Sequence, residues 1–188
     1  MRRRVLATAF AALAVFGLSS CDGPSEPSKG ADAPPAAAAS VYAASGDLSG
    51  YYMPLDPVRV GNWSLDHLFI GQAAEFQSWQ GGERSATFGP VMLQFDDVNS
   101  PMVRTEIGEA HSITARVLPT SYTVNDAQVR FEGRSPELGR VIFDGRLDQG
   151  ALATSRRNLG DEGVVLTGSL KVGDAPAQAV RLRWWMGD

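Results

Sequence analysis

The chain has 188 residues, one cysteine, a formal net charge of −4, and 44% hydrophobic against 20% charged residues. It is long enough for one domain with a real core, and a lone cysteine leaves that core without a disulfide inside the monomer. The negative charge disfavours nucleic acid and other polyanions as partners, and neither a G-x-x-x-x-G-K-[ST] nor a G-x-G-x-x-G phosphate loop is present.

Arg2, Arg3 and Arg4 open the chain, followed by an apolar to weakly polar run from Val5 to Leu18. That run is shorter than the roughly 20 apolar residues a spanning helix needs. A basic start, a short apolar middle and small residues before a cut site describe an export signal. The stretch that ends it, Leu18-Ser19-Ser20-Cys21, resembles the lipobox of bacterial lipoproteins. The resemblance covers residues 1–21 and implies a signal peptide over residues 1–20. Cys21 would then be the first residue of the mature chain, carrying diacylglycerol on its thiol and an acyl group on its amine. Each buried methylene of those chains contributes about 0.8 kcal/mol, so several chains give a stable anchor. The implied place is the bacterial cell envelope, lipid-anchored to the inner or outer membrane, with the rest of the chain outside the cytoplasm. Asp22, next after the cysteine, is by the same resemblance an inner-membrane retention mark in enteric bacteria.

Residues 21–45 are rich in Pro, Ala, Ser and Gly and almost without large apolar side chains. Such a segment cannot bury enough surface to offset its chain entropy, so it reads as a flexible linker carrying the lipid. The composition changes at Gly46. From 46 to 188 aromatic and β-branched residues recur between glycines every eight to twelve residues, which predicts a single antiparallel β domain, a sandwich or a small barrel.

"VRVGNWSLDHLFI" reads as one long bent strand whose phase shifts near Gly61. Phe76 and Trp79, beside Gly81-Gly82, line a cavity mouth or close the core. Alternation assigns Thr87, Val91, Leu93 and Phe95 to one face, then Ile113, Ala115 and Val117. "SYTV" and "QVRFEG" flank Asn125-Asp126-Ala127 as a hairpin. Val141, Phe143, Gly145 and Leu147 share a face. Asp148 caps one short helix over residues 149–158, ended by Gly160. Val164, Leu166, Gly168, Leu170 and Val172 then form a strand face opposite Val180, Leu182 and Trp184. Matching these faces across Gly173-Asp174-Ala175-Pro176 requires a connection of odd length, three or five residues.

Chemistry is sparse. Glu109 and His111 share a strand face, and His67 follows Asp66, yet a zinc site needs three or four ligands and no paired-histidine motif supplies them. Asp96, Asp97 and Asn99 gather oxygen ligands in one loop, a weak calcium candidate without EF-hand spacing, and the same residues form turns for backbone reasons. Asp144 and Asp148 could be a carboxylate pair, but a solvent-facing strand residue and a helix cap explain them as well. Ser112 and His111 point to opposite faces of one strand, and no G-x-S-x-G elbow follows the signal. The residues therefore call for no cofactor and name no catalytic group. Trp185 shares the outer face of the last strand with Arg181 and Arg183, the composition of an interface hot spot with cations free to stack on the indole. The sequence thus predicts an envelope lipoprotein whose β domain binds or scaffolds an envelope protein partner. The alternatives are a small barrel carrying an apolar ligand and an envelope hydrolase with a dispersed site.

Overall fold

A computed structural model describes residues 40–106 and 108–187. The signal, Cys21 and the linker up to residue 39 lie outside the described residues. The period-two segments of the C-terminal half pair as their alternation dictates. Strands β10 (Gly139–Leu147), β11 (Leu166–Val172) and β12 (Gln178–Trp185) are consecutive antiparallel neighbours. Leu166 faces Leu182 and Gly168 faces Val180, while Thr167 faces Arg181. The β11–β12 connection is Gly173 to Ala177, an odd length, so the apolar faces meet.

The same rule carries the chain round a closed barrel. Strands β2 (Gly50–Pro54), β4 (Trp63–Ile70), β5 (Val91–Asp97), β8 (Thr114–Asn125) and β9 (Gln128–Ser135) precede β10, β11 and β12. Each of the eight pairs with the next, and β12 returns to β2. The result is an up-and-down antiparallel barrel, the closed form of the all-β class that alternation predicts. A two-residue turn, Asp126-Ala127, joins β8 to β9, and Asn125 Oδ1 accepts from the amides of Ala127 and Gln128, both at 2.9 Å.

The inward residues fill the barrel. Tyr52, Phe95, Phe131 and Phe143, with leucines such as Leu68, Leu93 and Leu170, have almost no exposed surface. Eight strands leave an interior just wide enough for side chains, and these rings occupy it. Phe143 lies back over its own strand. A Cβ on Gly145 would sit 2.6 Å from Phe143 Cζ, and one on the facing Gly168 would sit 2.6 Å from the Asp144 carbonyl oxygen. Glycine at these two positions lets β10 and β11 approach beneath the ring.

Helix α2 (Gln149–Arg157) falls where Asp148 places it, with Asp148 Oδ1 accepting from the Ala151 amide at 2.9 Å. Helix α1 (Ala73–Gln80) is an addition to the sequence reading. It buries Phe76 and Trp79, and Phe76 stacks on Tyr42 at 4.1 Å and meets Tyr122 edge-on. Tyr42 belongs to β1 (Val41–Ala43), which runs parallel to Thr123–Asn125 of β8, and Ser45 is bonded to Asp126. The end of the stretch read as linker is therefore part of the folded unit, because Tyr42 has an aromatic partner that composition alone does not reveal.

Four strand readings change, one of them at Val164, which precedes β11 and is half-buried while Val165 beside it is 1% exposed. Arg59–Val60 (β3) and β4 form a hairpin around Gly61-Asn62, so they are not one bent strand. The phase shift lies instead at a bulge, where the register steps from Leu65 opposite Phe95 to His67 opposite Gln94. Ile113 precedes β8 and is 51% exposed, and Thr87 lies exposed in the bend before β5, so neither joins the core faces assigned to them. A small hairpin of β6 (Met102–Thr105) and β7 (Gly108–His111) completes the described elements.

Candidate functional site

The two sides of the barrel differ in chemistry. On β9, β10 and β11 the outward residues are mostly polar, with Ile142 among them, and two ion pairs join β9 to β10. Arg130 bonds Asp144 at 2.9 Å, and Arg140 holds both oxygens of Glu132 at 2.8 Å. On β12, β2 and β4 the outward residues form an aromatic row. Trp185 faces Tyr51 and Tyr51 faces Phe69 in register. Their ring centroids are 5.6 and 5.3 Å apart, and Phe88 extends the row at 5.4 Å from Phe69. All four side chains are half-buried.

The second row shows what the bulge in β4 does. One extra residue places Asp66 and His67 together opposite Gln94, both on the outer side. His67 Nδ1 lies 2.7 Å from Asp66 Oδ2, which also accepts from Gln94 Nε2 at 3.2 Å. The Tyr51 ring packs edge-on against the imidazole at 4.9 Å. His67 is 7% exposed, and its Nε2 is buried without a hydrogen-bond partner among the described residues. Beside this row a cleft of about 440 Å³ brings Asp66, Asp96, His111 and Arg183 to one wall. Burial, then the nearby Asp66 carboxylate, raise the Asp96 carboxyl above its ordinary value, while His111 and His67 act in the opposite sense.

Alongside Tyr51 and Phe69, the middle of the aromatic row, is a larger cleft, about 560 Å³, between the barrel wall, the start of α1 and the end of α2. Tyr51, Phe69 and Trp184 form its apolar walls, and Asp47, Glu75 and Arg156 its charges. Arg156 reaches from α2 to bond Asp47 Oδ2 at 3.0 Å and the Ser49 carbonyl at 2.9 Å. Its guanidinium lies 5.1 Å from the centroid of the Trp184 ring, whose Nε1 donates to the same Ser49 carbonyl at 3.0 Å. Partial burial works to raise the Asp47 carboxyl, but hydrogen bonds from Ser49 and Arg156 outweigh it and hold Asp47 below the ordinary carboxylate value.

The residues singled out in the sequence are placed as follows. Trp185 is half-buried on the outer face, and its aromatic partner is Tyr51. The stacked cations are elsewhere, Arg156 on Trp184 and Arg84 on Trp79. Arg181 is exposed and paired with Asp56 at 2.6 Å, and Arg183 lines the smaller cleft. Asp96 points to that cleft while Asp97 closes a turn, its Oδ1 accepting from the Asn99 amide at 2.9 Å. No group of three His, Cys, Asp or Glu placed to hold a metal ion occurs among the described residues. Asp144 and Asp148 are spent on Gln128 with Arg130 and on the cap of α2. Sequence reasoning did not reach Tyr51, Glu75 and Arg156. Arg156 lies in the last turn of the capped helix, but its partner Trp184 is on β12, beyond β11 in the chain, so nothing local marks the contact. No helix among the described residues is long and apolar enough to cross a membrane.

No protein-family profile, no curated protein and no solved structure matches the chain.

Proposed function

We propose that the chain is a lipid-anchored envelope protein whose barrel binds an envelope protein partner through its outer wall, with Trp185, Tyr51 and Phe69 as the anchoring row. The observation that carries this reading is the asymmetry of the exterior. One side carries mostly polar and charged residues, two ion pairs among them, whereas the other spends large aromatic surface outside a core that is already filled. Clustered half-exposed aromatics of this kind mark binding faces, and Trp, Tyr and Arg dominate interface energetics. Lipidation at Cys21, inferred from the lipobox resemblance, would raise the local concentration of this face near membrane-bound partners.

Two variants test the halves of the reading separately. Mass spectrometry of the mature N-terminus is expected to find acylated Cys21, and Cys21→Ser to abolish labelling by a fatty-acid analogue. A free thiol there would sink the anchor. A photo-crosslinker at Met53, beside the row, is expected to capture a defined envelope protein in the wild type. Trp185→Ala should reduce that capture at least tenfold, as expected for a hot-spot tryptophan worth about 2 kcal/mol. Undiminished capture would exclude Trp185 as the anchor. The closed eight-stranded barrel is the one observation that favours an apolar-ligand carrier instead. A carrier must open its packed interior, and it would bind an apolar dye stoichiometrically.

A further inference from the structure

The larger cleft has a chemistry of its own. Its floor is made of glycine. A Cβ at Gly71 would stand 2.1 Å from Glu75 Oε2, and one at Gly50, where φ is +140°, would stand 2.2 Å from Trp184 Nε1. These two neighbours let Glu75 fold back and let the indole lie flat against the wall. The volume of about 560 Å³ lies within the range of small-ligand sites.

Charge selects the ligand. Arg156 is already committed to Asp47, the Ser49 carbonyl and the Trp184 face, so that cation and Asp47 offset each other. Glu75 remains. Its Oε2 accepts from the Gln72 amide at 2.6 Å and thereby caps α1, which removes the helix end as an anion site. Its Oε1 accepts no hydrogen bond from the described residues. An anion entering here would meet two carboxylates and a guanidinium that already bonds Asp47 and the Ser49 carbonyl and whose Nε is buried. A cation would meet one uncompensated carboxylate and the aromatic rings of Tyr51 and Phe69, with Leu159 and Met186 as an apolar rim, 64% and 57% exposed. We propose that this cleft binds a small-molecule amine, an ammonium group on an apolar stem, with Glu75 as counter-ion and Tyr51 and Phe69 as the cation-facing walls. The inference rests on the reading that the outer wall, rather than the interior, is the binding face.

The test uses the purified full chain in a nonionic detergent, titrated with phenethylammonium, 2-phenylethanol and 3-phenylpropionate while Tyr51 and Trp184 resonances are followed. Phenethylammonium is expected to bind at least tenfold more tightly than the isosteric alcohol or the anion, and to weaken as salt rises. Glu75→Gln keeps an oxygen for the Gln72 amide, so α1 should survive, which a thermal melt verifies. It is expected to reduce ammonium affinity about tenfold, the usual worth of one charge-assisted contact. Lys171→Gln, at the end of β11 away from the cleft, should bind as the wild type does. Equal affinity for the alcohol, tighter binding of the anion, an unaffected Glu75→Gln variant, or binding only of a lysine-bearing peptide would each overturn the proposal. Amine binding that persists while partner capture by Trp185 fails would remove the partner reading and leave this site standing. Capture without amine binding would do the reverse.

Discussion

Gly168→Ala measures directly whether the barrel interior has room. The backbone at Gly168 is not in the left-handed region, so alanine is tolerated conformationally and any cost is steric. The new methyl would lie 2.6 Å from the Asp144 carbonyl oxygen, 2.8 Å from Gly145 Cα and 3.0 Å from Phe143 Cζ. Two of those three neighbours are backbone atoms of the paired strand, so a rotamer change cannot relieve them. Overpacking a filled core costs about 1–3 kcal/mol, and the reduced freedom of the unfolded chain returns about 0.4–1 kcal/mol. The net loss is about 1 kcal/mol, which for a domain of this size lowers Tm by roughly 2–4 °C. Gly145→Ala supplies the internal comparison. Its closest contact is the end of the Phe143 ring at 2.6 Å, so Phe143→Leu should rescue Gly145→Ala and leave Gly168→Ala largely unrelieved. Differential scanning calorimetry on the four proteins reads the outcome. A Gly168→Ala melt within about 1 °C of wild type, less than about 0.5 kcal/mol, would show that the barrel yields at this seam. It would restore the carrier reading with it.

Phe76→Ala removes a fully buried ring and its stack on Tyr42. The expected loss is about 3–5 kcal/mol, with faster hydrogen exchange at Tyr42 and Val124 as β1 detaches, and protection unchanged at both would contradict this anchoring of β1. Asp96→Asn tests the smaller cleft. The folded-state value of Asp96 is raised, so its protonated form favours folding below the unfolded value, and that advantage disappears as pH climbs through the folded value. Ionised Asp96 is thus a cost at neutral pH, among Asp66, His67 and His111. Asparagine should raise Tm at pH 7 and lose that gain by pH 4, and a gain independent of pH would refute the linkage. Asp47, whose value is lowered, has the opposite sign: its support for Arg156 is present at neutral pH and disappears as pH falls through the depressed folded value, so Arg156→Met should destabilise less in acid than at neutral pH.

What the sequence revealed follows from which forces are local. Period-two alternation in β10, β11 and β12 is a property of consecutive residues, and it determined faces, register and the odd loop. Asp148 announced α2 because a cap acts within one turn. The short α1 was less visible, since Phe76 and Trp79 give a single i, i+3 pair between glycines and its burial depends on Tyr42 and Tyr122 from distant strands. The bulge at Asp66-His67 was invisible for a related reason. A bulge is defined by the partner strand, and only Gln94 opposite two residues exposes it. The site had the same limits. Trp185 could be assigned to the outer face by parity, whereas its neighbour Tyr51 lies far off in the chain and joins it only when β12 closes onto β2.

Closure also sets where the binding surfaces lie relative to the entering chain. The first described residues pair along Thr123–Asn125 at one end of β8, where Ser45 bonds Asp126 and Gln149 of α2 bonds the Asp126 carbonyl at 2.7 Å. Arg156 then ties the end of α2 to Asp47, only a few residues after β1. The larger cleft therefore opens at the end of the barrel by which the chain enters, while the β6–β7 hairpin follows the Asp97–Ser100 turn at the other end. A lipid on Cys21 would tether the described domain to the bilayer. On the anchored-lipoprotein reading, that tether raises the effective concentration of the amine cleft and the aromatic row near a membrane-bound partner. Lengthening the segment before Ser40 should weaken that advantage by lowering effective concentration, with Trp185-dependent capture falling gradually as residues are added. Capture indifferent to that length would mean that anchoring and binding are uncoupled.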